Sequence, residues 1–535
     1  MSLCHRRAIL SATLLGMLLA ACGPDRPQTT PRRRIRVALA GDSVVRLTTG
    51  DTVGLSEATR AFYRSRRYRP AWLVEGKLTA QGAGLFRALG NAGVDGLSPE
   101  RYRFNAATAV RRRIAVAQGE DSLKGQVPRL LGDLDMLLTE GINRYSNDLA
   151  QGALDPKQAG LDWRIPRERA PEASILDALV KGRSVAEIVA NLRPMDLQYR
   201  RFMQALARYE GLERRGVQWP AIPKDASIAP GDTGAAVLPL RRRMAFSPDP
   251  FEARLAAAGT RPSLYDDQLA RAVKHFQDRH AIEPDGVLGP ATVAELNRPL
   301  SQRIDELRLN MDRWRWLPHD LGPRYVLVNV AGFELEVVEN SRIIDEMNVV
   351  VGQEGWNTPI FADTMEYIVV NPSWNVPKSI MEEEILPAMQ RDPNYLARNH
   401  MEMEPDGTVR QLPGADNALG KLKFMLPNPD NIYLHDTPAK YLFSRTRRDY
   451  SHGCIRLERP EELARLILSR TTRDSADLGK LLATGEEKWL KFDRKLPIYV
   501  LYFTAWVEED GTVRFHHDVY GRDRQLRHQQ ARTLT

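Results

Sequence analysis

The chain is poor in cysteine, with three such residues among 535. Cys4 and Cys22 lie close to the start, so Cys454 is the one cysteine in the remainder. A small secreted scaffold held together by paired disulfides is therefore excluded. In an exported protein an unpaired cysteine indicates a free reactive thiol, although the count alone leaves a buried, inert cysteine open.

Long hydrophobic runs are also missing. The uncharged stretch from Ala8 to Ala21 covers 14 residues, whereas about 20 are needed to span a bilayer as a helix. Arg6 and Arg7 stand just before it. A positive start followed by a short apolar segment is typical of an export signal, so we predict a signal peptide over residues 1–21.

The end of this signal, Leu19-Ala20-Ala21-Cys22, resembles a bacterial lipobox. The resemblance implies that Cys22 becomes a lipidated N-terminus, and Gly23 after it implies the outer-membrane leaflet. The alternative is ordinary cleavage nearby, with Cys22 unmodified. Residues 22–54 contain much Pro, Arg and Thr and predict a flexible tether. We therefore expect a periplasmic, envelope-attached protein, bound to the membrane through its N-terminal lipid.

The charge balance is weakly basic, since 76 Lys and Arg against 68 Asp and Glu give a net charge of +8. No run of basic residues is interleaved with aromatic ones, so a nucleic-acid-binding module is not indicated. A length of 535 residues allows roughly three or four domains. The patterns described next predict a multidomain α+β protein.

The first two domains are predicted to be helical. Residues 55–225 carry apolar stripes at helical spacing, which are far more often core than cofactor sites, and we interpret this part as a scaffold. Its clearest stripe is Leu130, Leu134, Leu137 and Leu138. In residues 228–298, Asp285-Gly286 and Gly289-Pro290 mark turns between short helices. This unit resembles the small three-helix peptidoglycan-binding domain; a spacer that has lost binding is the alternative.

Residues 322–523 read as a mainly β domain, followed by a tail at 524–535. Phe333, Leu335 and Val337 alternate with glutamates, as in a half-buried strand. Asp510-Gly511 lies between two β-rich segments and predicts a hairpin turn. A helical stretch and a turn-rich piece interrupt the domain, and we interpret residues 378–430 approximately as an inserted lid.

The residues that carry chemistry lie in two short segments of this domain, Tyr433-Leu434-His435-Asp436 and Ser451-His452-Gly453-Cys454. A cysteine attacks a carbonyl well only as a thiolate, so it needs a base or a cation nearby. Gly453 permits a tight turn that could aim backbone N–H groups at a developing oxyanion. Histidine followed, after a gap, by Ser-His-Gly-Cys closely resembles the signature of the L,D-transpeptidase catalytic domain, also called YkuD.

Two further segments extend the resemblance to the large periplasmic YcbB-like class. They are Asn371-Pro372-Ser373-Trp374-Asn375-Val376-Pro377 and Thr504-Ala505-Trp506-Val507. By resemblance, Cys454 is the nucleophile and His435 the general base. His452 and Gly453, with the Cys454 amide, form the oxyanion hole, and Ser451 supports that loop. We expect a backbone carbonyl to orient His435, with Asp436 shaping the loop.

Substrate contacts are expected from Arg456, Tyr433, Trp374 and Asn375. Arg456 stands where the family typically has Asn, and its planar guanidinium suits a substrate carboxylate, with a structural ion pair as the alternative. Tyr433 and Trp374 would wall the donor pocket, or else belong to the core.

The implied reaction is acyl transfer between peptidoglycan stem peptides. Cys454 releases the terminal D-Ala of a tetrapeptide stem, and an amine of a second stem takes the acyl group to give a 3→3 cross-link. No cofactor or metal is required; partner cell-wall synthases and acylation of the thiol by carbapenems are implied. The alternatives are an L,D-carboxypeptidase or another cysteine wall peptidase, a wall-binding lipoprotein without activity, and a zinc site using His435, His452, Cys454 or the His516-His517 pair.

Overall fold

The structure, a computed structural model, describes residues 30–41, 43–258, 261–471 and 478–534. The predicted signal peptide and the lipidation site Cys22 lie outside these residues. The chain divides into two units, one of Met1–Gly82 with Ala106–Leu138 and one of Ala83–Asn105 with Thr139–Thr535. Among the described residues, no helix is both long enough and apolar enough to cross a membrane.

The first helix that the structure describes lies inside the segment predicted to be a tether. Helix α1 (Pro31–Ala40) opens with a proline, and the Thr30 hydroxyl accepts a hydrogen bond from the Arg33 amide at 3.2 Å. Ile35 and Leu39 lie one turn apart on its buried face and pack with Val45, Leu55, Tyr63 and Met136. The prediction of a tether is therefore wrong from residue 31 onward, because composition alone concealed a capped helix start and an i, i+4 apolar pair.

The helical scaffold is confirmed, and only short strands accompany its helices. The elements after α1 are β1 (Val44–Arg46), β2 (Thr52–Gly54), α2 (Glu57–Ser65), β3 (Leu73–Val74), β4 (Lys77–Leu78), α3 (Ala80–Gly90), α4 (Phe104–Gly119), α5 (Val127–Gln151), α6 (Glu172–Val180), α7 (Val185–Leu192) and α8 (Leu197–Arg214). In the second unit, the fully buried Asp95 accepts hydrogen bonds from Arg193 at 2.7 and 2.8 Å and from Tyr145 at 2.7 Å. Its carboxylate thus ties helix α5 to the end of helix α7.

Four short helices form the unit predicted to bind peptidoglycan: α9 (Val237–Ala245), α10 (Pro250–Ala257), α11 (Asp267–Asp278) and α12 (Pro290–Leu296). Their shared core contains Leu240, Leu269, Val273, Phe276 and Leu296. Helix α10 was not expected, although Asp249 caps its start by accepting from the Phe251 and Glu252 amides at 3.0 Å. Asp-Pro at a helix start is a recognisable signal.

Helix α13 (Leu300–Arg315) leads from this unit into a nine-stranded sheet with the order β14-β7-β15-β13-β12-β8-β16-β5-β6. Because β6 also pairs with β7, the sheet curls round and closes on itself. Its strands are β5 (Arg324–Asn329), β6 (Glu334–Glu339), β7 (Arg342–Gly352), β8 (Phe361–Val370), β12 (Leu422–Met425), β13 (Leu434–His435), β14 (Asp449–Ser451), β15 (Ile455–Leu457) and β16 (Lys488–Leu501). The mainly β character of this domain, and with it the multidomain α+β fold class, is confirmed.

The predicted hairpin at Asp510-Gly511 is confirmed: it joins β17 (Ala505–Val507) to β18 (Val513–Phe515). This hairpin touches the four-helix unit through a set of polar contacts. The Phe515 amide donates to the Arg279 carbonyl at 2.7 Å, and the Thr512 hydroxyl lies 3.2 Å from the Asp249 carboxylate. The four-helix unit is therefore bonded directly to the β domain. Helices α17 (Pro460–Thr471), α18 (Leu478–Thr484) and α19 (Arg522–Leu534) complete the domain.

Most of the stretch predicted as a lid, together with Trp374–Asn375 just before it, forms a small layer with its own core. It contains α14 (Lys378–Ile380), a π-helical turn (Met381–Ile385), α15 (Leu386–Arg391), α16 (Tyr395–Arg398) and the sheet of β9 (Trp374–Asn375), β10 (Met401–Met403) and β11 (Val409–Gln411). Val376, Ile385, Met401 and Val409 form that core. The turn-rich piece thus contains a three-stranded sheet, which sequence periodicity did not indicate because each strand has only two or three residues.

Candidate active site

Three adjacent strands place the predicted site residues side by side. Lys423 of β12, His435 of β13 and Arg456 of β15 are in register across the sheet. Tyr433 and Cys454 precede His435 and Arg456 by two positions, so they share a face of the sheet with them. All five side chains line one cavity of about 870 Å³. This volume is in the range of a small-molecule or peptide-binding pocket.

The Cys454 thiol is half-buried at the floor of this cavity. Its sulfur lies 3.9 Å from the Asn431 carbonyl oxygen. Burial raises the pKa of the thiol above its ordinary value, although hydrogen bonds from Tyr433 and the charges of Lys423 and Arg456 act in the opposite direction. The resting group is therefore a protonated thiol at neutral pH, which needs a base to become nucleophilic.

His435 is buried and uncharged, and the backbone oxygen of Asp436 holds its ring in place. Its Nδ1 lies 2.5 Å from the Asp436 backbone oxygen, which can only accept a hydrogen bond. Nδ1 therefore carries the proton, and Nε2 is left as the basic nitrogen. Burial, followed by the charge of Arg456, lowers the pKa of His435 to about 3. In the described part of the chain, no hydrogen bond joins the ring to the Cys454 thiol, as is common before substrate binds.

The Asp436 carboxylate forms its hydrogen bonds and its ion pair with residues close to it in the chain. It accepts from the Lys421 amide at 2.9 Å and the Thr437 amide at 2.7 Å, and pairs with the Lys440 ammonium at 2.8 Å. These contacts hold the turn that presents the Asp436 carbonyl to His435. The arrangement does not use the carboxylate as a third member of a triad.

We expect Asp436→Asn to leave the turnover number within about tenfold of wild type, because the backbone oxygen that orients His435 is retained. Replacing a triad carboxylate by its amide costs about 10⁴-fold in a serine protease. Stability should fall by about 1–3 kcal/mol, since the ion pair and one acceptor are lost. Steady-state kinetics and urea unfolding of the purified variant measure both. A 10³-fold loss of turnover in a folded variant would instead make Asp436 part of a triad.

The loop before the nucleophile is held by Ser451. Its hydroxyl donates to the Cys454 carbonyl at 2.5 Å and accepts from the Gly453 amide at 3.1 Å. Gly453 has a φ of +107°, a conformation that L-residues rarely adopt. The Gly453 amide was predicted to face an oxyanion, but here it is used by Ser451. Among the described residues, the amides of His452 and Cys454 have no hydrogen-bond partner.

Thr358 braces the same loop and was not singled out from the sequence. Its hydroxyl accepts from the Gly352 amide at 2.9 Å and donates to the Gly453 carbonyl at 2.8 Å. The side chain is fully buried. A lone threonine between two strands carries no catalytic signal, so only the three-dimensional structure reveals this link.

Thr358→Val, which keeps the shape but removes the hydroxyl, should cost about 1–3 kcal/mol because the buried Gly352 amide loses its acceptor. The loop that carries Cys454 also loses its hydrogen bond to Thr358, so we expect the turnover number to fall about tenfold. Thermal unfolding and the rate of D-Ala release measure the two effects. Thr358→Ser retains the hydroxyl and serves as the control; equal losses in both variants would show that the hydroxyl is not the cause.

His452 and the remaining predicted residues face the cavity from other sides. The His452 Nε2 lies 3.0 Å from a carboxylate oxygen of Glu384 in the lid, and its ring contacts Trp356 edge-on. Trp374 and Asn375 line the cavity from β9, and the Trp374 side chain is hydrogen-bonded to Tyr433. Within the described residues, no acidic group forms an ion pair with Arg456, so its structural alternative has no observed partner there.

Lys423 is a cavity residue that sequence reasoning missed. Its ammonium lies 3.9 Å from the centre of the Tyr433 ring, a cation–π contact. Alternation of Leu422 and Phe424 inward with Lys421 and Lys423 outward was readable from the sequence, but exposed lysines on a strand normally face water. Here the lid covers the face on which Lys423 lies.

One group of metal-type ligands lies outside this cavity, in the four-helix unit. It consists of Asp249, Glu252 and His275. Arg279 already pairs with one member of this group, with a guanidinium nitrogen 2.8 Å from the Glu252 carboxylate. Burial alone would raise the pKa of Glu252, but Arg279 lowers it to about 2. The group is thus a buried ion pair rather than a vacant metal site.

Comparison with known proteins identifies three segments of the chain. Residues 323–476 match the YkuD family, described as the L,D-transpeptidase catalytic domain. Residues 251–296 match a family described as "Putative peptidoglycan binding domain", and residues 57–206 match one described as "Scaffold domain".

One curated relative is a Haemophilus influenzae protein named "Putative L,D-transpeptidase". It is 32% identical over 246 residues, which are 42% of this chain and 50% of the relative. The match therefore spans half the length of that protein.

Solved structures with a detectable likeness include an L,D-transpeptidase from Mycobacterium smegmatis, at 13% identity and a TM-score of 0.19, covering 33% of this chain and 58% of that one. Another is an L,D-transpeptidase (residues 123–326) from Xylanimonas cellulosilytica, at 15% identity and a TM-score of 0.16, covering 53% and 99%.

Proposed function

The chain contains a YkuD L,D-transpeptidase catalytic domain and a peptidoglycan-binding domain, and from this premise we propose that it is a peptidoglycan L,D-transpeptidase with Cys454 as its nucleophile. The observation that carries the proposal is the placement of Cys454 beside an uncharged, oriented His435 in one cavity. A thiol and a basic nitrogen in this relation are what acyl transfer through a thioester requires.

The reaction begins when Nε2 of His435 takes the thiol proton. The Cys454 sulfur attacks the carbonyl of the third residue of a tetrapeptide stem, and the negative oxygen is met by the free amides of His452 and Cys454. The C–N bond to the terminal D-Ala breaks, and the amine leaves with the proton from His435. The third residue is now held as a thioester on Cys454.

An amine from a second stem completes the cycle. It attacks the thioester carbonyl, gives a proton to His435, and displaces the thiolate, which recovers that proton. The product is a 3→3 cross-link. Water in place of the amine gives the tripeptide, which is the activity of an L,D-carboxypeptidase. A wall-binding protein without catalysis is the second alternative, and the presence of both Cys454 and His435 in one cavity argues against it.

We also propose that the protein acts in the cell envelope, where peptidoglycan is found. Lipidation of Cys22 would attach it to the membrane, and cell-wall synthases would supply the glycan strands that it joins. The basis for this placement is the signal-like start of the sequence together with the domain composition.

The test is to incubate the full-length protein with purified tetrapeptide-stem muropeptides and to follow masses over time. Loss of D-Ala with appearance of 3→3 dimers is the expected result. Tripeptide-stem muropeptides serve as the control donor, because they lack the D-Ala leaving group and should remain unchanged. Tripeptide as the sole product would change the acceptor to water, and no change in either substrate would refute the proposal.

A further inference from the structure

An exposed aromatic pair lies on the catalytic domain outside the cavity. All nine tryptophans are among the described residues, and Trp489 of β16 is the one that is exposed, with 54% of its surface open. Its ring contacts that of Tyr367 on β8 edge-on, with 6.1 Å between the ring centres. Neither residue lines the cavity around Cys454. We call Trp489 and Tyr367 the aromatic platform; a large apolar ring left in water beside a second aromatic ring is typical of a binding surface.

Strand register connects the aromatic platform with the cavity. Met425 lines the cavity and is the register partner of Tyr367. Val369 pairs with Lys423 on one side and with Trp489 on the other. Because directly paired residues point to the same face of a sheet, the cavity and the aromatic platform share one continuous face.

In the other direction the same face is closed. Val350 of β7, the register partner of Arg456, is fully buried. It packs with Leu442 and Phe443, which cover the sheet there. A ligand that extends across the strands from Cys454 therefore leaves toward β8 and β16.

The distance to the aromatic platform fits the length of a stem peptide. Cys454 immediately precedes β15, which is three strands from β8 and four from β16. Neighbouring strands lie about 4.8 Å apart, so the aromatic platform is roughly 14–19 Å from the nucleophile. Three extended residues reach about 10 Å. With the third stem residue at Cys454, the first residue therefore lies near Met425, and the sugar that bears the stem follows over the aromatic platform.

Resting on the proposed function, we propose that the aromatic platform binds the sugar ring that bears the donor stem. A pyranose ring presents a face of C–H groups that packs on an aromatic ring, while its hydroxyls stay at the edge for polar partners. The Lys491 ammonium, 5.8 Å from the centre of the Tyr367 ring, offers donors at that edge. The indole N–H of Trp489 donates to the Glu487 carboxylate at 2.9 Å, which orients the ring before a sugar arrives.

The experiment compares two donors with the same tetrapeptide, one acetylated at its N-terminus and one attached there to the disaccharide of the glycan. Wild type should release D-Ala from the sugar-bearing donor with a kcat/KM about fivefold to tenfold higher, mainly through a lower KM. Trp489→Ala should lower this value to that of the acetylated donor and leave the acetylated donor unchanged. Trp489→Tyr retains an aromatic ring and should keep most of the preference.

Tyr441→Ala is the matched control, because Tyr441 is also an exposed aromatic residue but belongs to the turn that closes the opposite side of the cavity. It should retain the wild-type preference for the sugar-bearing donor. The inference is overturned by a preference that survives in Trp489→Ala or is lost in Tyr441→Ala. Equal losses on both donors in Trp489→Ala, or no preference in wild type, would also overturn it.

Calorimetry separates failure of the sugar subsite from failure of the reaction. Full-length Cys454→Ala should bind the sugar-bearing donor more tightly than the acetylated donor, and the added Trp489→Ala change should remove the difference. Equal binding of the two donors by Cys454→Ala would refute the sugar subsite. A difference that persists in the double variant would place the sugar on α9–α12 and refute it as well. No D-Ala release by wild type would refute the reaction, and the binding comparison would still decide the role of Trp489.

Discussion

Cys454→Ala is expected to lose at least about 10⁴-fold in the rate of D-Ala release, leaving no detectable 3→3 product. Removal of a nucleophile that forms a covalent intermediate takes away the whole reaction path rather than one contribution to it. The fold should survive, because the thiol is only half-buried and its contacts, with Tyr433 and with the Asn431 carbonyl at 3.9 Å, are weak hydrogen bonds to sulfur. Mass spectrometry of donor stems and circular dichroism measure the two outcomes.

Cys454→Ser sharpens this test. The serine hydroxyl fits the same space but loses its proton far less readily than a thiol, so its rate should resemble that of the alanine variant. Both variants should still bind insoluble peptidoglycan, since the four-helix unit is untouched. Residual D-Ala release above a tenth of wild type in folded Cys454→Ala would contradict the assignment of the nucleophile.

His435→Ala should lower the rate of D-Ala release by about 10²–10⁴-fold, the usual contribution of a positioned general base. The variant keeps its thiol, so slow alkylation by iodoacetamide should persist, and it should persist more strongly at high pH. His528→Ala, a change at an exposed histidine in α19, is the matched control and should match wild type. Unchanged kinetics of D-Ala release in His435→Ala would contradict the role of His435 as the general base.

The pH dependence of wild type should reflect the low pKa of His435. Since that pKa is about 3 and the pKa of the thiol is raised, the base is free and the thiol intact from about pH 5 to about pH 8, and kcat/KM should be level there. Activity should fall as the pH approaches 3. An acid limb near 6.5 would show instead that the ring titrates like an ordinary histidine.

The same shift has a consequence for stability. Unfolded His435 binds a proton near pH 6.5, whereas the folded ring does so only near pH 3. Between these values the unfolded state holds more protons, so the free energy of unfolding should decrease as the pH falls. Circular dichroism at each pH therefore has to accompany the kinetics, to separate loss of the base from loss of the fold.

Much of this arrangement was predictable from sequence, for identifiable reasons. The β-strands around residues 325, 347, 367 and 498 were visible because buried strands carry β-branched and aromatic runs. The hairpin at Asp510-Gly511 was visible because its turn chemistry is local. Cys454 and His435 were singled out because their spacing to neighbouring residues is characteristic. Each of these signals lies within a few consecutive positions.

The parts that were missed depend on contacts between distant segments. Helix α1 is stabilised by packing on Met136, about a hundred positions away. Thr358 acts only because it meets the loop at Gly453. Lys423 gains its place from strand register and from the lid above it. The hydrogen bond from the Gly453 amide to Ser451 was also not predicted, because a motif does not show which partner a backbone amide selects.

Hydrogen bonds between Arg279 and the β17–β18 hairpin connect the peptidoglycan-binding domain directly to the catalytic domain. Two binding modules on a flexible linker sample many separations, and their joint action depends on linker length. Here hydrogen bonds from Phe515 and Thr512 reach the four-helix unit directly, so fewer separations are open to the two parts. If α9–α12 bind a glycan strand, this direct connection would limit the stems that reach Cys454 to those within a short range along the repeat of that strand.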